Sequence, residues 1–116
     1  MGQVHSCAFL ASEIFFEIER VKEAAASGNA EYASSHLSIV EKELQNMSIH
    51  CELGDYSKET QHLANARSGI KDKQWELVKS ESLAFEKSII MKYARNHNNG
   101  EDPLDVIPSR VYDALK

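Results

Sequence analysis

Residues 4–51 decide the fold, and they read VHSCAFLASEIFFEIERVKEAAASGNAEYASSHLSIVEKELQNMSIHC. Apolar residues recur in this stretch at alternating steps of three and four, both before and after the tripeptide Ser27-Gly28-Asn29. Such spacing places the apolar residues on one side of a helix as a continuous stripe. The stripe before the tripeptide consists of Val4, Cys7, Ala11, Ile14, Ile18, Val21 and Ala25, and the stripe after it consists of Ala30, Ala33, Leu37, Val40, Leu44, Met47 and Cys51. We therefore predict two helices that fold back on each other as an antiparallel hairpin, with the two stripes in contact.

Glycines and capping residues predict the ends of four helices. Gly28 is suited to a left-handed stop after the first helix, and Asn29 is suited to cap the second. The predicted helices cover about residues 4–26, 30–53, 57–68 and 73–96. Gly69 together with Asp72 is expected to separate the third helix from the fourth. One continuous helix over residues 57–96 is the alternative, since a glycine inside a helix costs only ~1 kcal/mol.

The length of 116 residues is that of a single domain. We predict an all-α fold: an antiparallel up-and-down bundle of three long helices and one short helix, with a short C-terminal helix. Residues 1–100 are predicted to form the bundle. Residues 101–116 are predicted to form a tail on the same domain, in which Pro108 occupies the first turn of the short helix. Beyond the pairing of helices, we expect no internal repeat.

The overall charge and composition exclude several classes of protein. Thirteen basic and 18 acidic residues leave a net charge of −5, which argues against a nucleic-acid binder. No apolar run approaches the ~20 residues that span a bilayer, and the N-terminus lacks the pattern of a secretory signal. The five glycines are isolated, so no nucleotide loop and no cofactor is expected. We expect a cytoplasmic protein with reduced cysteines.

Two histidines and two cysteines are predicted to gather at the open end of the first hairpin. They are His5, Cys7, His50 and Cys51. Thiols and imidazoles are zinc ligands, but no two of these residues have the short Cys-x-x-Cys spacing of structural zinc sites. We expect the cysteines to pack as small apolar side chains. A disulfide between them and a metal site are the two alternatives.

A second motif, Glu59-Thr60-Gln61-His62, has the Glu-x-x-His spacing that di-iron helical bundles use twice. The sequence contains the element once, and such a metal site needs two copies. We therefore expect Glu59 and His62 to lie in a solvated first turn of the third helix.

Apolar residues outside the stripes are the better indication of function. Phe9 and Phe16 project nearly opposite the stripe of the first helix, and carboxylates surround them. Aromatic side chains rimmed by carboxylates are typical of an interface with a basic protein. The interface candidates are Phe9, Glu13, Phe16, Glu17, Arg20 and Glu23. Tyr32, Ile39 and Leu53 form a similar second line on the second helix. The alternative is that other helices or the tail cover these residues.

The sequence as a whole indicates protein binding without catalysis. The expected partner is a basic protein, with no nucleic acid and no membrane involved, and a homodimer is left open. Size, charge and the lack of cofactor motifs match the profile of a bacterial inhibitor, such as an immunity protein or antitoxin. A secretion chaperone or adaptor has the same profile. The alternative of another class is a metal-binding or enzymatic bundle that uses His5, Cys7, His50 and Cys51.

Overall fold

The computed structural model describes residues 7–51 and 54–95, and this part of the chain contains four helices. They are α1 (Cys7–Ser27), α2 (Ala30–His50), α3 (Ser57–Lys71) and α4 (Trp75–Arg95). Three helices have 21 residues and α3 has 15, so the prediction of three long helices and one short helix is confirmed. The predicted C-terminal helix and tail lie outside the described residues. No described helix combines the length and the apolar character needed to cross a membrane.

The four helices form an up-and-down bundle of two hairpins. Helix α1 packs most extensively on α2, and α3 packs on α4. Contacts between α1 and α4 and between α2 and α3 close the bundle. The predicted all-α bundle is therefore confirmed. Helix α2 ends at His50, a few residues earlier than predicted.

The turn between α1 and α2 has the predicted geometry. Gly28 adopts a φ of 70°, where a left-handed backbone favours glycine. The amides of Gly28 and Asn29 bond back to the carbonyls of Ala25 and Ala24 at 3.3 and 2.9 Å, which forms a Schellman motif. The Asn29 side chain then accepts a hydrogen bond from the amide of Tyr32 at 3.0 Å and caps α2.

The third and fourth helices are separate, as predicted, but the third helix does not end at Gly69 as expected. Helix α3 continues through Gly69, and the chain turns at Lys73, which adopts a φ of 56°. The amides of Lys73 and Gln74 bond to the carbonyls of Ile70 and Gly69 at 3.2 and 2.8 Å, which is a second Schellman motif. Gly69 is needed for space, because a Cβ there would lie 2.9 Å from Cγ2 of Val78 on α4.

The two predicted stripes form the core of the first hairpin. Every stripe residue with a described side chain is buried, except Ala30, which is partly buried and packs against the core. The core also contains Leu10 and Phe15, which lie beside the α1 stripe and were not predicted. The second hairpin contributes further core residues, which are Leu63, Ala66, Ile70, Val78, Phe85, Ile89 and Ile90.

The two hairpins can be matched to each other at an offset of 45 positions, which is the pairing of helices that the sequence analysis allowed for. The two Schellman turns correspond, with Gly28 matching Lys73. The salt bridge from Lys22 to Glu86 (2.6 Å) corresponds to that from Arg67 to Glu41 (2.9 Å), because 22 maps to 67 and 41 maps to 86.

A third correspondence links the helices within each hairpin. Glu17 and His36 pair at 2.5 Å across α1 and α2, and His62 and Glu81 pair at 2.9 Å across α3 and α4. The partners are again 45 positions apart, but the acid and the imidazole have exchanged places. The surroundings of matched positions are not always alike, since the Glu41 side chain is 38% exposed and that of its counterpart Glu86 is fully buried.

Candidate functional site

The candidate interface is an exposed apolar surface on the outer side of α1 and α2. Phe9 and Phe16 of α1 are 46% and 56% exposed, and Tyr32 and Ile39 of α2 are 41% and 40% exposed. We call this surface the α1–α2 outer face. It consists of Phe9, Glu13, Phe16, Glu17, Arg20 and Glu23 on α1 and of Tyr32, His36 and Ile39 on α2. No described helix encloses the two phenylalanine rings.

The pair of Glu17 and His36 joins the two halves of this face. Both side chains are partly buried, and the pair fixes which side of α2 lies next to α1. Tyr32 and Ile39 lie one turn before and one turn after His36, so they share its side of α2. The Tyr32 ring also packs on the His36 ring, with 4.3 Å between centroids. The aromatic surface of α1 is thereby continued onto α2.

Charged groups hold the Phe16 ring and surround it. The Arg20 guanidinium lies over the ring, 4.8 Å from its centroid, and pairs with Glu23 at 2.7 Å. Glu13 has no hydrogen-bond or ion-pair partner among the described residues. Three carboxylates against one guanidinium leave the α1 part of the face with a net negative charge. The face therefore combines a fixed aromatic ring with an available carboxylate.

The structure brings together all six sequence-predicted interface candidates on one side of α1. It also adds Tyr32 and Ile39, which the helical projection placed on a separate line of α2. The contact between Glu17 and His36 places the α1 candidates beside the α2 residues. A projection of one helix alone cannot show this contact. The third member of the α2 line, Leu53, lies outside the described residues.

The second hairpin lacks this aromatic surface. The position equivalent to Phe16 is Gln61, and the positions equivalent to Tyr32 and Ile39 are Leu77 and Ala84. Gln61 is exposed, as Phe16 is, and Leu77 and Ala84 are partly buried. Phe9 lies in the first turns of α1, which have no counterpart because α3 begins later. The bundle therefore does not require exposed aromatic side chains at these places.

Only His50 and Cys51 of the cysteine and histidine cluster have described side chains, so the structure does not test the cluster as a metal site. Cys51 is buried, as expected, and the structure holds it in a disulfide, which the sequence analysis gave as an alternative to free thiols. The sequence holds one other cysteine, Cys7, whose side chain lies outside the described part, as does all of His5. A disulfide sulfur offers no thiolate to a metal. The described residues contain no group of three His, Cys, Asp or Glu side chains that could hold a metal ion.

The expected solvated turn around Glu59 is also wrong. Glu59 is buried, accepts a hydrogen bond from the Ser88 hydroxyl and lies 3.7 Å from the Lys92 ammonium. His62 is partly buried and pairs with Glu81, whose pKa is lowered chiefly by that hydrogen bond. Sequence reasoning missed the burial of Glu59 because it depends on partners contributed by α4.

A second buried carboxylate, Glu86, lies between α4 and α1. Its side chain is fully buried, and Lys22 of α1 pairs with it at 2.6 Å and with Glu19 at 2.7 Å. Burial raises the pKa of Glu86 to about 7, because the Lys22 ammonium compensates it only in part and the Glu19 carboxylate adds repulsion. The Glu86 carboxyl therefore loses its proton only near neutral pH.

The free energy of unfolding should consequently fall as pH rises from about 4.5 to 7. The folded protein keeps a proton on Glu86 in this window, whereas the unfolded chain releases it, so stability from this group is greatest below the window and is lost above it. The loss should be on the order of 2–3 kcal/mol. Urea denaturation at pH 5 and pH 8 measures it, and Glu86→Gln should remove most of the difference. An unchanged pH dependence in the variant would contradict this assignment.

Comparisons with known proteins do not indicate a function for this chain. No protein-family model, no curated protein and no solved structure matches the chain.

Proposed function

We propose that the protein is a small acidic binding protein that docks its α1–α2 outer face on a basic partner protein. We further propose that it acts as an inhibitor of the bacterial immunity-protein or antitoxin type, without catalysis or a cofactor of its own. One observation carries the proposal: the outer face exposes aromatic side chains where the equivalent part of the second hairpin exposes none. Because the fold does not need these rings at the surface, their exposure favours a role in binding.

The geometry of Phe16 supports a binding role. Arg20 packs over one side of the ring, so the ring loses little conformational freedom when a partner covers the other side. About half of each ring is still exposed, so covering both rings on association would contribute about 1.5–3 kcal/mol in total. Phe9 and Phe16 together would therefore provide the apolar centre of an interface, with the neighbouring charged residues as its rim.

The charge of the face supports a basic partner. Glu13 is available for a cation, whereas Glu17 and Glu23 are already paired with His36 and Arg20. The whole chain adds a net charge of −5, which attracts a positively charged protein over longer distances. Association should therefore slow as salt concentration rises, and Glu13→Lys should slow it without a large loss of stability.

A secretion chaperone or adaptor could use the same face, and the partner's activity distinguishes the two roles. An inhibitor abolishes the activity of its bound partner, whereas a chaperone or adaptor leaves it intact or delivers the partner elsewhere. A homodimer, in which a second copy of this chain covers the face, is the third alternative. The metal-binding or enzymatic alternative is weakened, because Cys51 is held in a disulfide.

Replacing both phenylalanines tests the proposed interface. The double variant Phe9→Ala/Phe16→Ala should bind the partner roughly tenfold to 100-fold more weakly, since the exposed halves of two rings no longer contribute to the interface. Its free energy of unfolding should fall by no more than about 2 kcal/mol, because only about half of each ring is buried in the free protein. Isothermal titration calorimetry and urea denaturation measure the two quantities.

The control for this experiment is Leu83→Ala/Met91→Ala, which removes two exposed apolar side chains from α4. This control should bind within about twofold of the wild type if the interface lies on α1 and α2. Equal losses of affinity in both double variants would contradict the proposal. A wild-type dimer that the phenylalanine variant converts to monomer would show instead that a second copy occupies the face.

The cytoplasmic location also remains a proposal, and the disulfide offers a test of it. Disulfides persist in oxidising compartments and are rare in the reducing cytosol. If the protein is cytoplasmic, thiol blocking at the moment of cell lysis should find both cysteines reduced in its native cells. A disulfide already present at lysis would contradict the cytoplasmic location.

A further inference from the structure

The α1–α2 outer face is elongated along the two helices. The pair of Glu17 and His36 marks one level at which α1 and α2 meet. Phe9 lies eight residues before Glu17, and Tyr32 lies four residues before His36. Because α1 and α2 are antiparallel, Phe9 and Tyr32 lie on opposite sides of that level, about 18 Å apart along the bundle at the rise of an α-helix. A helix of about 12 residues has the same length.

Side chains on both helices point to the place where a third helix would lie. Glu17 and His36 face each other, so they give the direction from each helix to its neighbour. Arg20 and Ile39 each follow by three residues, which turns them about 60° from that direction, at about 100° per residue. The buried stripes are turned the other way, toward the core. Three helices packed at equal spacing form a triangle with angles of about 60°, so Arg20 and Ile39 point outward to its third corner.

The exposed apolar side chains follow the same two directions. Phe9 and Phe16 are turned within about 40° of Arg20, and Tyr32 is turned within about 20° of Ile39. On each helix the two apolar residues are seven positions apart. Seven residues is the repeat with which one helix contacts a neighbouring helix along its length. The spacing therefore favours a helix over an irregular loop as the element that covers this face.

The seam between the two apolar pairs is acidic. Glu13 lies one turn before Glu17 on α1, and Glu43 lies two turns after His36 on α2, so both lie beside the seam toward its Phe9 end. Glu43 accepts a hydrogen bond from the Asn46 side chain at 3.1 Å. Neither Glu13 nor Glu43 forms an ion pair with a described residue. An element that covers the seam would therefore need to bring its own cations.

We propose that the partner presents a single basic amphipathic helix, which lies lengthwise on the α1–α2 outer face as a third helix. The proposal rests on the function proposed above, because it names the binding element of that partner. The apolar side of the helix would cover Phe16, Tyr32 and Ile39, and lysine or arginine side chains beside it would pair with Glu13 and Glu43. A second copy of this chain fits less well, because it would bring the same carboxylates together.

A synthetic peptide of about 18 residues tests this proposal with the full chain. The peptide has leucines at alternating steps of three and four, lysines on both sides of that stripe and alanines elsewhere. We expect it to bind and to gain helical circular dichroism on binding. A peptide of the same composition with scrambled leucine positions should bind at least about tenfold more weakly, because its apolar side chains cannot share one side of a helix. Fluorescence anisotropy of the labelled peptides measures both affinities.

Variants with one apolar change on each helix locate the bound peptide. Phe16→Ala/Ile39→Ala should weaken binding roughly tenfold, because the helix contacts α1 and α2 together. Leu83→Ala/Met91→Ala, which removes two exposed side chains from α4, should leave the affinity within about twofold of the wild type.

Charge-reversal variants test the proposed cations of the helix. Glu13→Lys/Glu43→Lys should weaken binding of the spaced peptide by about tenfold at low salt concentration. The control Asp72→Lys/Glu76→Lys makes the same change of net charge at exposed positions near the other turn. It should weaken binding by less than about threefold, because its charges lie far from the seam.

Three results would overturn the proposed helix. They are no binding of the spaced peptide at about 100 μM, binding that Phe16→Ala/Ile39→Ala leaves unchanged, and a wild-type dimer in sedimentation that this variant converts to monomer. The dimer would show that a second copy covers the face. The proposed function fails by a different result, which is a native partner that keeps its affinity for Phe9→Ala/Phe16→Ala. A native partner that loses affinity for that variant, with no binding of the peptide, would reject the helix alone.

Discussion

Replacing Leu37 with alanine should lower the free energy of unfolding by about 2–5 kcal/mol. Leu37 lies at the centre of the α2 stripe and is fully buried, as are Ile14 and Ile18 on the α1 stripe. The packed helices cannot close fully around the missing side chain, so the cost includes a cavity as well as the lost burial. Urea denaturation of the two proteins measures the difference.

The matched control is Ile39→Ala, two residues further along the same helix. Ile39 is 40% exposed, so its truncation removes a side chain of similar size that buries less surface. We expect the control to cost less than about 1 kcal/mol. Equal costs at the two positions would contradict the assignment of Leu37 to the core and of Ile39 to the surface.

A disulfide between the two cysteines of the sequence, at positions 7 and 51, would close a long loop, so reducing it should lower the free energy of unfolding by about 4 kcal/mol. Cys51 directly follows α2, and Cys7 is the first residue of α1, so the bond would join the hairpin at the end opposite Gly28. Denaturation with and without a reductant measures the effect. Cys51→Ser should match the reduced protein and should not respond to reductant. A wild type equally stable in both conditions would contradict a disulfide within the chain.

The sequence was sufficient to predict the first hairpin and most of its core. Its two stripes are long and uninterrupted, and the glycine between them is used for its left-handed backbone, which is the commonest reason for a glycine after a helix. Gly69 misled the prediction because it is used for space against Val78, and such a close approach of two helices leaves no local pattern in the sequence.

Features that depend on contact between helices could not be predicted in the same way. The burial of Glu59 depends on Ser88 and Lys92 of another helix. The match between the two hairpins is also not visible in the sequence, because it rests on turn geometry and on ion pairs between helices, such as Glu17 with His36 and His62 with Glu81. For the interface, Phe9 and Phe16 could be identified from one helix, whereas joining Tyr32 to them required the relative rotation of α1 and α2.

The most direct test of the central claim places a photo-crosslinking amino acid at position 16 or at position 61 of the full chain. The two positions are equivalent in the two hairpins and both are exposed, so they differ in which outer face they report on. With the purified partner, the α1–α2 interface predicts a crosslink from position 16 and none from position 61. A crosslink from position 61, with none from position 16, would contradict the account.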